Sequence, residues 1–139
     1  AAGMAAGFAG HQPDVHRWID AQLDVDFQMC SHYNPTDRSQ APEHVSTGEV
    51  WDDADRERMV EVIAGLRAPV VHYKVLAGGN RPVRPAFRYL AGVVRTRDAV
   101  LVGIYTRERA DMIREDVALF EEYVDHGGGG PARMTEAGS

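Results

Sequence analysis

Polar side chains at or near the ends of three strand-like segments have the chemistry of a ligand pocket: His11, Gln28, Cys30, His32, Asn34, His72 and Lys74. Side chains alternate across a strand, so Gln28, Cys30 and His32 share one face of their segment. The intervening apolar residues are expected to meet the helices, which turns the polar set toward a barrel interior or its mouth. Burying a lysine and several histidines is costly unless partners or water satisfy them, so the pattern predicts a solvated pocket.

The candidate catalytic residues are Lys74, His72 and His32. A lysine in such a pocket orients an anionic substrate, or acts as a base or Schiff-base amine. A histidine can serve as a general base. The substrate pocket is assigned to His11, Gln28, Cys30 and Asn34. The alternative is that Lys74 extends to the end of the sheet and pairs with Asp26 or Glu49.

Imidazole, thiolate and carboxylate groups also bind zinc, but these residues lack the spacing of a metal site. We therefore expect no metal. A lone cysteine among apolar neighbours usually serves packing, so a nucleophilic role for Cys30 is a minor alternative.

A second group of residues is typical of an anion site. Glycines let a backbone approach a ligand ahead of a helix, and guanidinium groups bind phosphate. The predicted cofactor residues follow the third and fourth strand-like segments and are Gly78, Gly79, Arg81, Thr106, Arg107 and Arg109, with Arg84 nearby. They predict a ligand that carries phosphate.

The elements that position these residues follow one order four times: a short apolar run, polar or glycine punctuation, then a helical stretch. The predicted strands are residues 4–9, 25–33, 69–76 and 99–105. Helices are predicted to begin near Pro13, Asp53, Pro82 and Ala110. Helical spacing gives the first a buried face of Val15, Trp18, Ile19 and Leu23, and the last a buried face of Met112, Ile113, Val117 and Phe120.

This order predicts an α/β fold with a parallel sheet of four βα units, half of a TIM-type (β/α)8 barrel. Residues 1–125 form the four units, and residues 126–139 are a flexible glycine-rich tail. The long connection at residues 34–53 leaves the carboxyl end of a strand, where α/β proteins place their sites. Three arrangements stay open: an open four-stranded sheet, a half-barrel that pairs with its own copy, and an excerpt of a barrel whose first half is missing.

Four segments carry a resemblance to a known group: residues 7–13 (GFAGHQP), 24–34 (DVDFQMCSHYN), 71–79 (VHYKVLAGG) and 99–105 (AVLVGIY). They resemble the last four strands of uncharacterised (β/α)8 barrel proteins whose second half is similar to the aldo/keto reductases. The resemblance implies an oxidoreductase fragment or half-barrel relative that binds NADP. It also implies that the catalytic residues of the reductases, which come from the first half of the barrel, have no counterpart here.

The composition is that of a globular domain. Of 139 residues, 44% are hydrophobic, and the net charge of -6 disfavours binding to nucleic acid. No apolar run reaches the length of a membrane span, and the single cysteine fits a reducing compartment, so a cytoplasmic location is expected.

Two alternatives to the reductase-like function remain. One is a barrel lyase or isomerase that acts on a small carbonyl compound or sugar phosphate without a nicotinamide. The other is a truncated domain without activity that associates through its open sheet edges. The expected partners are a small anionic ligand and either a second copy or the missing half-barrel.

Overall fold

A computed structural model describes residues 3–35, 50–107 and 109–125. Its strands are β1 (Gly7–Gly10), β2 (Phe27–Ser31), β3 (Val70–Tyr73) and β4 (Ala99–Val100), and its helices are α1 (Pro13–Gln22), α2 (Asp53–Gly65), α3 (Val83–Leu90) and α4 (Met112–Phe120). The four strands form one parallel sheet in the order β1-β2-β3-β4. The predicted α/β fold with alternating βα units is thereby confirmed.

The strands are shorter than predicted, most of all at the fourth. The sequence predicts this strand over residues 99–105, but it pairs only at Ala99–Val100. An apolar run indicates where a strand is buried, whereas pairing ends where the neighbouring strand β3 ends, at Tyr73. The predicted tail and most of the predicted 34–53 loop lie outside the described residues.

Helix starts follow the sequence signals. Pro13 opens α1, where a missing backbone N–H costs nothing. The Asp52 carboxylate caps α2 by accepting from the Ala54 backbone N–H at 2.9 Å. A short 3-10 turn (Ala77–Gly79) lies between β3 and α3. None of the helices in the described ranges has the length and apolar character needed to cross a bilayer.

The helices cover the face of the sheet that the sequence assigned to the barrel interior. Cys30 and Val70 pack against Met59, Val62 and Ile63 of α2. Gln28 contacts α1, and His72, in register with Val100, lies on the same face. Alternation correctly groups residues by face, but the prediction that the polar set points away from the helices is wrong. These polar side chains are tolerated there because they find partners: Gln28 and Cys30 contact His16, and His72 contacts His32 and Asp98.

The opposite face of the sheet carries apolar side chains that no helix covers in the described structure: Phe27, Met29, Val71, Tyr73 and Leu101. We call this the open face. Phe27, Met29, Val71 and Tyr73 are partly buried, and Leu101 is 52% exposed.

The helices next to the sheet edges also deviate from the predicted burial. On α1, Ile19 is buried as predicted, but Val15, Trp18 and Leu23 are exposed, and the second buried residue is His16. On α4, the predicted core residues Ile113 and Val117 are exposed, whereas Leu119 is buried. Helical periodicity identifies an apolar stripe, but a helix at the end of a sheet has a neighbour on one side only.

Candidate functional site

Three of the predicted site residues follow the carboxyl ends of adjacent strands. His11 comes just after β1, His32 directly after β2 and Lys74 directly after β3. Because the strands are parallel, these ends meet at one edge of the sheet. The chain therefore gathers two histidines and a lysine at the edge where α/β proteins bind their ligands.

Lys74 lies at a strained point of this edge. Its φ of 57° and that of Ala77, 50°, are in the left-handed region, which residues other than glycine rarely adopt. Such strain is often found at functional sites, where the surrounding structure maintains it. The half-buried side chain places its Nζ atom 5.8 Å from the ring centroid of Trp51. Among the 15 lysine and arginine residues of the whole chain, Lys74 is the single lysine, and this rarity is a further sequence signal for the position.

Trp51, which the sequence does not predict to be part of the site, forms an aromatic wall there. Its ring meets that of Tyr33 edge-on at 5.8 Å between centroids. The ring also packs against the turn at residues 77–81, which we call the glycine turn. A Cβ built on Gly78 would lie 2.9 Å from the Trp51 Cζ2 atom. With φ at 60°, Gly78 is also in the left-handed region. We infer that Gly78 is needed here for close packing on Trp51.

An ion pair fixes the rim of the aromatic wall. Arg81 donates to Asp53 Oδ1 from Nε at 3.1 Å and from Nη2 at 2.9 Å, and Nη2 also donates to the Trp51 carbonyl. The Tyr33 hydroxyl donates to the same Asp53 oxygen. The bond from Arg81 lowers the pKa of Asp53, aided by Tyr33. Arg81, predicted to bind phosphate, is therefore bound to a carboxylate of its own chain.

The glycine turn also uses its own backbone donors. The Gly79 N–H and the Arg81 N–H both donate to the Leu76 carbonyl, and the Asn80 N–H donates to the Ala77 carbonyl. A phosphate cradle needs such amides to point at the ligand. At this turn three of these backbone N–H groups already donate to backbone carbonyls.

Two of the other arginines near the predicted anion site are paired with carboxylates. Arg84 pairs with Glu122 at 3.0 Å, and Arg109 pairs with Glu115. Two further members are exposed in the turn after β4: Thr106 and Arg107. The phosphate and NADP predictions stay predictions, with no preformed cradle among these residues.

A chain of buried polar groups runs along the helix-facing side of the sheet. His32 Nε2 lies 2.9 Å from His72 Nδ1, and His72 Nε2 lies 3.3 Å from Asp98 Oδ2. Arg95 holds Asp98 with Nε at 2.7 Å and Nη2 at 2.8 Å. The Val70 backbone N–H donates to the same carboxylate at 2.9 Å. His32, His72 and the Asp98 carboxylate are almost entirely shielded from water.

Burial and neighbouring charges determine the ionisation of His32 and Asp98, which lie on either side of His72 in this line of polar groups. Burial lowers the pKa of His32 to about 3, with smaller contributions from the charges of His72 and Arg56. Burial alone would raise the pKa of Asp98, but the hydrogen bonds from His72, Arg95 and Val70 outweigh it and hold that pKa well below its ordinary value. At neutral pH, His32 is therefore uncharged and Asp98 is a carboxylate.

Two of the predicted pocket residues, Gln28 and Cys30, are buried beneath the helices instead. Gln28 Oε1 lies 2.7 Å from His16 Nδ1, and Cys30 Sγ lies 3.5 Å from the same nitrogen. Burial raises the pKa of the Cys30 thiol to about 12. The thiolate needed for nucleophilic attack is therefore scarce at neutral pH.

The other two, His11 and Asn34, line a cleft of about 340 Å³ between α1 and α2 at the carboxyl edge, together with Ser31 and Tyr33. Beside the cleft, the Tyr73 hydroxyl donates to the Gly10 carbonyl at 3.3 Å and lies 3.5 Å from His11 Nε2. Tyr73 is not among the predicted site residues. Its position as the last residue of β3, one before Lys74, could have indicated it.

The sequence suggests Asp26 and Glu49 as alternative ion-pair partners of Lys74. Asp26 precedes β2, at the amino edge of the sheet, and its Oδ2 accepts from the Ala6 backbone N–H at 2.7 Å. Pairing of Lys74 with Asp26 is therefore wrong, because the two residues flank opposite ends of parallel strands. Glu49 lies outside the described residues. Within the described ranges, no group of three or more His, Cys, Asp or Glu side chains is placed to hold a metal ion.

No protein-family model matches this chain, and searches of curated proteins and of solved structures give no significant match.

Proposed function

We propose that this chain provides the carboxyl-edge site of a barrel lyase or isomerase, in which Lys74 reacts with the carbonyl group of a small substrate. The observation that carries the proposal is the placement of the single lysine. Lys74 is half buried, has left-handed backbone at the end of β3 and lies over Trp51. Maintaining a strained lysine at this edge is costly, and a role for its amine accounts for that cost.

The chemistry requires only groups that the edge supplies. The neutral amine of Lys74 attacks a carbonyl carbon, and loss of water gives a Schiff base that withdraws electrons from the neighbouring bond. Trp51 and Tyr33 form an apolar wall beside the amine, which favours a ligand of a few carbon atoms. His11, directly after β1, and Tyr73, the last residue of β3, contact each other at the same carboxyl edge and serve as polar contacts for its hydroxyl groups.

Reductive trapping tests this proposal. The folded chain is incubated with pyruvate, glycolaldehyde or dihydroxyacetone phosphate and then with borohydride, which reduces a Schiff base to a stable amine. We expect mass spectrometry to find one adduct, on the peptide that contains Lys74, formed several times faster than in the urea-unfolded chain. Since the chain has one lysine, the α-amino group is the only competing primary amine and is blocked beforehand.

Lys74→Arg is the matched control because it keeps the positive charge and removes the nucleophile. It should give no adduct at this peptide. Equal trapping rates in the folded and unfolded wild-type chain would contradict a special reactivity of Lys74.

We further propose that four additional βα units complete a (β/α)8 barrel around the open face. Three observations support this. The open face is apolar, and neither β1 nor β4 has a second neighbour within the described residues. In addition, exposed apolar side chains lie on the helices beside both edges, Trp18 on α1 and Ile113 on α4. A parallel sheet is rarely left uncovered on one face.

A charge on the open face should reveal its tendency to associate. We expect light scattering to show self-association of the wild-type chain that the Leu101→Lys substitution reduces, since Leu101 is half exposed on that face. Ala64→Lys, at an exposed position of α2, is the control and should leave the mass unchanged. A monomeric wild-type chain with no exposed apolar surface by dye binding would contradict the completed barrel.

The reductase-like function with NADP near Thr106, Arg107 and Arg109 remains a weaker alternative. Its support is the resemblance of the strand segments. The contacts in the structure add no support to it, because backbone N–H groups of the glycine turn already donate to carbonyls and because Arg81 and Arg109 are paired with carboxylates.

A further inference from the structure

We propose that Asp98 and His72 are positioning residues that fix the tautomer of His32, so that His32 carries its proton on Nε2 and keeps Nδ1 as an unprotonated acceptor. The proposal rests on the continuous line of hydrogen-bond contacts from Arg95 through Asp98 and His72 to His32. We call this line the relay.

The direction of each bond in the relay follows from its ionised end. An Asp98 carboxylate can only accept, so His72 Nε2, at 3.3 Å, must carry a proton and donate. We take the His72 imidazole as neutral in this proposal; a neutral imidazole has one N–H, which leaves His72 Nδ1 as an acceptor. His32 Nε2, 2.9 Å away, must then be the donor. Nδ1 is the nitrogen of His32 that remains without a proton.

The anchor of the relay is held from several elements. Arg95 donates to both oxygens of Asp98 and also to the Leu66 and Ala68 carbonyls, which fixes the guanidinium at the end of α2. The Asp98 side chain is fully shielded from water. Such an anchor cannot rotate to offer a different hydrogen-bond pattern to His72 without leaving several donors unsatisfied.

The charged groups around His32 also oppose a second proton on its ring. Arg56 of α2 contributes positive charge there, and the neighbouring His72 has the same effect when protonated. Asp98 is separated from His32 by the ring of His72. His32 therefore serves as a hydrogen-bond acceptor of fixed polarity and not as an acid.

The relay ends at the edge that holds Lys74. The His32 backbone N–H donates to the carbonyl of Tyr73, the residue before Lys74, at 3.0 Å. The consequence for catalysis rests on the proposed carbonyl chemistry: with its tautomer fixed, the buried His32 ring keeps one hydrogen-bond pattern beneath the edge at which Lys74 reacts. The tautomer assignment itself does not depend on that chemistry.

Long-range proton–nitrogen NMR of the ¹⁵N-labelled full chain tests the assignment, because protonated and unprotonated ring nitrogens resonate far apart. In the wild type at neutral pH we expect both His32 and His72 to be protonated on Nε2 only. Single His32→Gln and His72→Leu variants assign the signals. A proton on His32 Nδ1, or a doubly protonated His72, would overturn the proposal.

The His72→Leu variant provides the causal test. Asp98 keeps its bonds to Arg95 and Val70, whereas His32 Nε2 loses its acceptor, so we expect His32 to become a mixture of tautomers. His16→Leu is the matched control: it also removes a fully buried histidine, but one that belongs to α1 and contacts Gln28 and Gly10. It should leave His32 unchanged.

An unchanged His32 tautomer in His72→Leu would refute the role of His72. The wild-type spectrum decides the assignment even if a variant fails to fold. Neither measurement uses a carbonyl ligand, so failure of the relay and failure of the trapping at Lys74 are distinguishable.

Discussion

Acidification from pH 7 to pH 4 is expected to lower the free energy of unfolding by about 3 kcal/mol through His32 alone. In the folded chain the pKa of His32 is about 3, against 6.5 for the free side chain. Between these values the unfolded chain binds a proton that the folded chain does not, so stability falls as the pH falls. Urea denaturation followed by circular dichroism at pH 7, 5.5 and 4 measures the effect.

Asp98 acts in the same direction at lower pH. Its pKa is depressed in the folded chain, so its contribution is fully present above the unfolded value of about 3.9 and is lost as the pH falls below it. His32→Gln removes one titrating group and leaves the other histidines in place. Its free energy of unfolding should depend less steeply on pH between 6.5 and 4 than that of the wild type. Parallel pH profiles for the two proteins would mean that His32 titrates normally and is not shielded.

Replacing Asp98 by alanine is expected to lower the free energy of unfolding at pH 7 by about 3–5 kcal/mol. The substitution removes the acceptor for Arg95, His72 and the Val70 backbone N–H at once. The guanidinium of Arg95, only 22% exposed, would remain without its counter-ion. Urea denaturation at pH 7 gives the difference from the wild type.

Two further variants separate the causes of this loss. Asp98→Asn keeps the volume but turns an NH2 group toward donors, so it should cost nearly as much as alanine. Asp52→Ala removes an exposed helix cap and should cost only about 1 kcal/mol. An Asp98→Asn variant as stable as the wild type would show that shape, and not charge, is what the relay needs.

The carboxyl-edge site was only partly predictable. His11, His32 and Lys74 could be placed together from the sequence because parallel strands align their ends. Trp51 could not, since aromatic residues are usually interpreted as core. Tyr73 was missed, although its position at the end of β3, one residue before Lys74, could have indicated it. Asp98 was missed because it precedes a strand, and its contact with His72 spans 26 residues and depends on the register of β3 against β4.

At the predicted anion site, the residue types were consistent with phosphate binding but their partners could not be predicted. Glycines and arginines ahead of helices indicate a phosphate-binding site, but the sequence does not show whether their hydrogen-bond donors already have partners within the chain. Asp53 is 28 residues from Arg81 in the chain and yet binds it, and the Leu76 carbonyl accepts from two amides of the turn. The Asp53 partner is decided by tertiary packing, whereas the Leu76 carbonyl is a local acceptor that depends on the backbone conformation of the turn.

By itself, the sequence determined the alternation of strands and helices, because local periodicity and capping residues act over a few neighbouring positions. It also determined which residues share a face of a strand, because alternation is a property of the backbone. Only the tertiary structure decided which face the helices cover. Hydrophobicity favoured Phe27 and Met29 for that side, but Gln28, Cys30 and His72 occupy it because His16 and Asp98 satisfy their polar atoms. Hydrogen bonds between distant segments outweigh the local preference, and only the folded chain brings those segments together.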